Sequence, residues 1–180
     1  MEEYSGVKFE YSIVEGKIPE NRIMEYLELD RTLKKFLDTE KNEGNMSMRI
    51  KGGFLIKRTG AKMTDLNKGD ISMVTGIEDE KIIAIGQAPS SEARMHDGIY
   101  RTNPEVRVIL HFHNDEILDK ISCSAIGPFP YGTTELANAA AECSIKHKFF
   151  KINKHGFVIV AKNSEELLNK LENVVKTKIT

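Results

Sequence analysis

Residues 106–113 read VRVILHFH, and this stretch decides how the rest of the chain is interpreted. Its apolar run, residues 106–112, is the most strand-like segment of the sequence and is apolar enough to be buried on both faces, as in the centre of a sheet. It ends in His111 and His113. Residues two apart on a strand project from the same face, so both imidazoles can reach one ion. The sequence therefore predicts a central strand that delivers two histidines to the loops at its carboxyl end.

Strands and helices are mixed on both sides of this run. Short apolar stretches separated by Gly, Asp or Asn predict strands, and the KGG link between the first two predicts an antiparallel hairpin. Apolar residues at helical spacing predict amphipathic helices, the last of which opens on the capping-box pattern of Asn163 and Glu166. The predicted strands are 46–50, 54–57, 71–75, 81–85, 149–152 and 157–161, and the predicted helices are 20–39, 90–102, 116–122, 133–146 and 163–175.

The order of these elements predicts an α/β fold with a mostly antiparallel sheet covered by helices. Residues 1–180 suit one domain with one core, and no repeat or low-complexity linker divides them. Alternating apolar residues from Val7 to Ile13 add a half-buried strand within residues 1–20, for which the sequence suggests no function beyond an extra sheet edge or a subunit contact.

Charge and composition exclude several classes of protein. The net charge is -1, from 26 basic and 27 acidic side chains, which is unlike a dedicated nucleic-acid binder. The apolar runs are too short to span a membrane, and the first residues lack a signal-peptide pattern. The two cysteines, Cys123 and Cys143, form no CxxC motif, so a thiolate zinc site is not indicated. We expect a cytoplasmic protein with neither nucleic-acid nor membrane partners.

A catalytic zinc ion usually has three protein ligands, and the HFH pair supplies two. His155, in KHG at a turn between two predicted strands, is a candidate for the third. An HxH pair alone is a weak signal, because surface and core histidines also produce it. His96 and His147 fit helix positions, and for them the structural interpretation is preferred.

The segment PSSE, ending at Glu92, opens a predicted helix. Two hydroxyls, free backbone N–H groups and a positive dipole end are suited to binding an anion. The plainer alternative is that Glu92 only complements the helix dipole. GNMSMR and RTGAKMTDL are two further turns of small residues, and each alone would be interpreted as an ordinary loop.

Taken together and in order, these motifs are specific. GNMSMR, FLIKRTG, PSSEARMHDGIY, NPEVRVILHFHND, YGTTELA and NKHGFVIV resemble the class II aldolase/adducin family over residues 44–171. The resemblance implies a three-layer α/β/α fold around a largely antiparallel sheet, usually assembled as a tetramer. It also implies the site residues: one Zn²⁺ per chain on His111, His113 and His155, Glu92 as acid and base, and Asn45, Thr59, Gly60, Ser90 and Ser91 around a substrate phosphate.

The activity that the resemblance favours is zinc-dependent, reversible cleavage of a ketose 1-phosphate to dihydroxyacetone phosphate and a short aldehyde. A sugar-phosphate dehydratase and a pentulose-phosphate 4-epimerase of the same family are alternatives, although such epimerases tend to have Asp in place of Glu92. A non-catalytic, adducin-head-like oligomerisation module is a third. The presence of all three histidines and Glu92 disfavours that module.

The chain departs from the family pattern in two places. Family aldolases commonly carry a longer segment between the HxH pair and the last histidine, with a tyrosine that donates a proton. Here Tyr131 is the only tyrosine between His113 and His155, and it is the candidate for that role. The usual LITPTG is FLIKRTG, which brings Lys57 and Arg58 to the phosphate loop. These two residues either lie at an exposed strand end or bind an additional anionic group.

Overall fold

The structure, a computed structural model, describes residues 9–37, 43–78 and 80–176. Their strands form one sheet in the order β1-β5-β4-β3-β2-β6-β9-β8-β7. The strands are β1 (Tyr11–Ile13), β2 (Asn45–Ile50), β3 (Gly53–Lys57), β4 (Ile71–Glu78), β5 (Lys81–Ile85), β6 (Val108–Phe112), β7 (Ser124–Ile126), β8 (Phe149–Ile152) and β9 (Gly156–Ala161), and the α-helices are α1 (Glu20–Leu33), α2 (Ala93–Thr102), α3 (Asp115–Leu118), α4 (Thr134–Lys146) and α5 (Ser164–Lys176).

The HFH strand is central, as predicted. Every residue of β6 is buried, and the strand pairs antiparallel with β2 on one side and β9 on the other. The predicted hairpin is also confirmed: β2 and β3 pair antiparallel around the KGG link, where Gly52 and Gly53 have φ of +84° and +154°. Only glycine adopts such angles without strain, which explains this pair at the turn.

The sheet is mixed, so the expectation of a mostly antiparallel sheet is corrected. Among the described strands, β1 pairs parallel with β5 at one edge, and β7 pairs parallel with β8 at the other. Neither pair is joined by a tight turn, so no hairpin forces the partners to run in opposite directions. β7 was not predicted at all, because three residues between polar neighbours give too short a pattern.

Alternate residues of the sheet enter two apolar clusters. One contains Val108, Leu110 and Phe112 together with residues of α1, α3 and α5, and the other contains Ile109 with residues of α2 and α4. Since neighbouring residues of a strand point to opposite faces, the helices cover both faces of the sheet. The three-layer description implied by the family resemblance stays an expectation, as does the single domain over residues 1–180.

Several helix limits differ from the prediction. The first helix ends at Leu33, where i→i+3 hydrogen bonds tighten the chain, and Thr39 lies outside the described residues. α2 begins at Ala93, three residues later than predicted, and Glu92 at its cap makes no side-chain cap bond. At the last helix the expected cap is confirmed, since Asn163 accepts the Glu166 N–H at 2.8 Å.

The N-terminal strand is confirmed only in part. Tyr11–Ile13 forms β1, whereas Val7 lies outside the described residues. None of the helices in the described parts of the chain has the length and apolar character needed to cross a membrane.

Candidate metal centre and active site

Three histidines meet at one end of the sheet. His111 and His113 come from the carboxyl end of β6, and His155 comes from the turn between β8 and β9. One ring nitrogen from each lies within 4.8 Å of the others. The structure thus brings together the three residues that the sequence predicted as ligands. His147 lies elsewhere, at the C-terminal cap of α4.

The protonation of His111 follows from its contacts. Its Nδ1 lies 3.0 Å from the Phe157 carbonyl oxygen, which can only accept, so Nδ1 carries the proton and donates. Nε2 therefore presents a lone pair to the cluster. Burial, and next the neighbouring His155, hold the pKa of His111 well below the ordinary histidine value, so the ring is neutral. A backbone carbonyl that fixes the tautomer in this way is typical of histidines that bind metals.

A glycine allows the third histidine to approach. A Cβ on Gly156 would lie 2.7 Å from the Phe112 carbonyl oxygen and 3.0 Å from ring atoms of both His111 and His113. Any larger residue would push the turn away from β6. The Gly in KHG is thus a structural requirement for bringing His155 to the other two rings.

The donor set fits a divalent metal ion. The Nε2 lone pair of His111 faces Nε2 of His113 at 2.9 Å and Oε2 of Glu92 at 3.1 Å. The His111 lone pair and the Glu92 carboxylate both accept, and they repel one another at this distance unless a proton or cation lies between them. Three imidazoles without a protein thiolate suit zinc and related ions, and nitrogens around a tetrahedral zinc ion stand roughly 3.4 Å apart. Oε2 of Glu43 lies 3.7 Å from Nδ1 of His113.

Glu92 lies directly beside this cluster. Its side chain is buried, with Oε2 at 3.1 Å from His111 Nε2 and Oε1 at 3.5 Å from His155 Nε2. Asn45 donates from Nδ2 to Oε2 at 2.8 Å, because the β2–β6 register sets Asn45 opposite His111. The resemblance implied a phosphate-binding role for Asn45; in the structure its amide holds the carboxylate. A buried carboxylate beside nitrogen ligands is suited to moving protons.

A cavity of about 640 Å³ opens over the cluster. On one side it is lined by the small polar groups predicted to hold phosphate. On another side Tyr131 lines it, within the loop that follows β7, and its side chain is buried. Every predicted site residue except the fully buried His111 lines this cavity: Asn45, Thr59, Gly60, Ser90, Ser91, Glu92, His113, Tyr131 and His155.

Lys57 also lines the cavity, although the sequence left its role open. It is only 4% exposed, so it is not an exposed strand end. Its ammonium donates to the Ala61 carbonyl oxygen at 2.6 Å, and no carboxylate lies within 4.0 Å of it among the described residues. Burial lowers the pKa of Lys57 to about 8, although Glu92 and Asp30 oppose the shift. Arg58 behaves differently, because its Nε binds Asp70 Oδ1 at 2.7 Å.

Comparison with known proteins extends this description. The chain matches the family model "Class II Aldolase and Adducin N-terminal domain" over residues 25–119. It is 29% identical over 159 residues to the 3-oxo-tetronate 4-phosphate decarboxylase of Pectobacterium atrosepticum, covering 74% of this chain and 71% of that protein. It is 31% identical over 147 residues to the L-fuculose phosphate aldolase of Methanococcus vannielii, covering 72% of this chain and 78% of the other.

A solved structure shows the same fold. The L-fuculose-1-phosphate aldolase of Thermus thermophilus superposes with a TM-score of 0.70 at 22% identity, covering 88% of this chain and 92% of that one. At this identity the superposition supports the fold alone. The family match spans more than half of the chain and includes β2, β6, Glu92 and two of the three histidines. The chain therefore belongs to the class II aldolase and adducin N-terminal domain family.

Proposed function

We propose that the protein is a zinc-dependent enzyme that reversibly cleaves a ketose 1-phosphate to dihydroxyacetone phosphate and a short aldehyde. The observation that carries this proposal is the position of Glu92. Its carboxylate lies 3.1 Å from His111 and lines the same cavity as the small polar loops around Thr59 and Ser90. A proton-transfer group thus lies beside the three histidines and shares a cavity with the groups proposed to bind the phosphate.

The proposed reaction breaks the C3–C4 bond of the ketose phosphate. The C4 hydroxyl loses its proton, the C4 fragment leaves as an aldehyde, and C3 takes up a proton. When bound to the three histidines, a zinc ion would supply Lewis-acid polarisation of the substrate carbonyl. Glu92 is assigned the proton transfer at C3. The hydroxyls of Thr59, Ser90 and Ser91, with Gly60 beside them, are assigned to the phosphate, which they would hold by charge-assisted hydrogen bonds.

Tyr131 is assigned the proton transfer at the aldehyde oxygen. It lines the cavity, is 5% exposed and belongs to the loop after β7. A phenol exchanges a proton with an alkoxide readily, since the two oxygens form a short hydrogen bond. In the cleavage direction Tyr131 would relay the proton away from the C4 hydroxyl, and in the synthetic direction it would return that proton.

Decarboxylation of a phosphorylated 3-oxo acid is the second candidate. The relative from Pectobacterium atrosepticum that carries this name is 29% identical over 74% of the chain. Loss of CO2 from 3-oxo-tetronate 4-phosphate leaves dihydroxyacetone phosphate, so both reactions place an electron pair on the same carbon beside the same carbonyl. They differ in the fragment that departs, an aldehyde or CO2. Only aldol cleavage requires a proton to leave a hydroxyl, which is the role assigned to Tyr131.

Products distinguish the two reactions. The metal-loaded protein is incubated with several ketose 1-phosphates and with 3-oxo-tetronate 4-phosphate, and aldehyde and CO2 are both measured. Release of dihydroxyacetone phosphate alone is insufficient, because both reactions produce it. We expect aldehyde from at least one ketose 1-phosphate, and Tyr131→Phe should reduce that rate. CO2 release from the oxo acid, without any aldehyde from the ketoses, would replace the proposal by the second candidate.

The remaining family activities give different products. A dehydratase would release water and retain the carbon chain, and a 4-epimerase would invert one carbon of a pentulose phosphate. Both leave the number of carbon atoms unchanged, which mass spectrometry of the products detects. An adducin-head-like module would turn over none of these compounds. The tetramer and the cytoplasmic location are likewise proposals, resting on the family resemblance and on cysteine usage.

Lys57 provides a test of where the substrate phosphate binds in the cavity. A buried ammonium without a carboxylate within 4.0 Å is suited to a substrate anion. Replacing Lys57 by Met should lower kcat/KM for the phosphorylated substrate by about 10- to 100-fold, because a hydrogen bond to a charged group contributes ~1.5–3 kcal/mol. The lysine is charged below a pKa of about 8, so this advantage should fade as the pH rises through that value. Initial rates between pH 6 and about 9.5 test both effects.

The matched control is Lys62→Met. Lys62 is exposed and does not line the cavity, yet it lies five residues after Lys57 and carries the same charge. Its replacement should leave kcat/KM nearly unchanged. If Lys57→Met and Lys62→Met had equal effects, Lys57 would act only through the positive charge that it shares with this region of the chain, and it would not contact the substrate.

A further inference from the structure

A buried chain of hydrogen bonds lies on the core side of Glu92. Ser47 Oγ, on β2, is 2.6 Å from His96 Nδ1 and 2.8 Å from the Tyr100 hydroxyl, both on α2. All three side chains are buried, and none lines the cavity. The sequence suggested only a structural role for His96. Its position one helical turn after Glu92 sets both side chains on the same side of α2.

The contacts of the Tyr100 hydroxyl bear on the position of the protons in this chain. The Tyr100 hydroxyl has two acceptors within reach, Ser47 Oγ at 2.8 Å and the Arg107 carbonyl oxygen at 3.3 Å. We assign the Tyr100 proton to the shorter and therefore stronger contact, so that Tyr100 donates to Ser47. Ser47 then donates its single proton to His96 Nδ1. A neutral imidazole that accepts at Nδ1 carries its proton on Nε2.

His96 is neutral at ordinary pH. Its ring is fully buried, and burial lowers its pKa to about 4, although the charge of Glu92 acts in the opposite direction. The ring therefore carries no charge and does not form an ion pair with Glu92. An N–H group hydrogen-bonded through a water molecule to a buried carboxylate would restrain the orientation of that carboxylate.

Three buried polar atoms around Glu92 have no hydrogen-bond partner among the described residues. They are Nε2 of His96, Oε1 of Glu92 and Oδ1 of Asn45. By the argument above the first is a donor, and the other two are acceptors. The Asn45 amide already contacts Glu92 Oε2 at 2.8 Å, so these side chains are neighbours. One water molecule accepts one such bond and donates two, which is the number that one donor and two acceptors require.

We propose that His96 is a positioning residue for Glu92, holding one buried water that donates to Glu92 Oε1 and Asn45 Oδ1. The chain from Tyr100 through Ser47 sets the tautomer that this requires. The water and the Asn45 amide then hold one carboxylate oxygen each, so Glu92 keeps a fixed orientation toward the cavity. This proposal rests on the proton-transfer role of Glu92 under Proposed function. It requires nothing of the identity of the substrate.

The test pairs His96→Leu with His96→Gln in the metal-loaded protein. A glutamine amide can donate near the position of Nε2, whereas leucine fills a similar volume without a donor. We expect His96→Leu to lower kcat by about 3- to 10-fold with KM within about twofold, as loss of one hydrogen bond predicts. His96→Gln should recover most of that loss. A merely structural histidine would show no such rescue.

A second measurement is independent of turnover. ¹⁵N NMR of the histidine rings should show the Nε2–H tautomer for His96, and Ser47→Ala should release that preference. An Nδ1–H tautomer in the unaltered protein would overturn the proposal even if the variants failed to fold. If the tautomer of His96 is as expected but no substrate is turned over, the proposed function is contradicted and the tautomer assignment is not. Equal kcat for the Leu and Gln variants would overturn the positioning role.

Discussion

Glu92→Gln is expected to lower turnover by about 10²–10⁴-fold, the usual contribution of a general acid–base group. Glutamine has nearly the same shape as glutamate but cannot accept a proton at neutral pH. The 2.8 Å contact with Asn45 can persist in the variant, because the oxygen of the new glutamine amide can accept from Asn45 Nδ2. The fold and the histidine cluster should therefore persist. Steady-state rates, the metal content and the melting temperature are measured on the same sample.

Proton exchange isolates the step assigned to Glu92. With dihydroxyacetone phosphate alone in heavy water, the unaltered protein should exchange one proton at the carbon that becomes C3, and Glu92→Gln should not. The matched control is Glu105→Gln, the same chemical change at an exposed residue whose carboxylate binds Lys162 at 2.8 Å. Near-normal exchange by Glu92→Gln would refute the assigned role. A comparable loss in Glu105→Gln would point to a general effect on the fold.

Much of the metal-binding cluster could be predicted from the sequence because local rules determine it. Residues that are two positions apart on a strand point to the same face. HFH therefore places two imidazole rings close together once β6 is recognised as a strand. The approach of His155 depends on the β8–β9 turn, which its tight NKHG link indicates. The close contact of Gly156 with Phe112 could not be deduced, since it depends on the pairing of β6 with β9.

The features of the fold and of the site that the sequence did not predict depend on tertiary contacts. Lys57 is the last residue of a strand and carries a charge, so the sequence is equally consistent with an exposed side chain. Its burial depends on the segment that supplies the Ala61 carbonyl and on the pairing of β3 with β4. β7 is three residues long, and the residues of β8 with which it pairs are 26 positions further along the chain, so no local pattern indicates the strand or its partner. The same holds for Ser47, whose bond to His96 joins residues 49 positions apart.

The metal centre gives the largest expected effect. The purified protein should hold about one divalent ion per chain, most often zinc, with metal–nitrogen distances of about 2.0–2.1 Å by X-ray absorption. Replacing His113 or His155 by Ala should reduce bound metal to near zero, because two imidazoles alone hold a zinc ion weakly. Elemental analysis after dialysis against a weak chelator gives the ratio, and activity should fall in parallel.

His147→Ala is the control that makes this test specific. His147 lies at the end of α4, outside the cluster, so its loss should leave metal content unchanged. His155 is the most informative replacement, since it stands on a turn, whereas the fully buried His111 risks a folding defect. Retention of metal by His155→Ala, with loss in His147→Ala, would overturn the ligand set. If His155→Ala lost metal and remained folded, the turn between β8 and β9 would be established as the third side of the metal site. Glu92 would then act beside a bound ion.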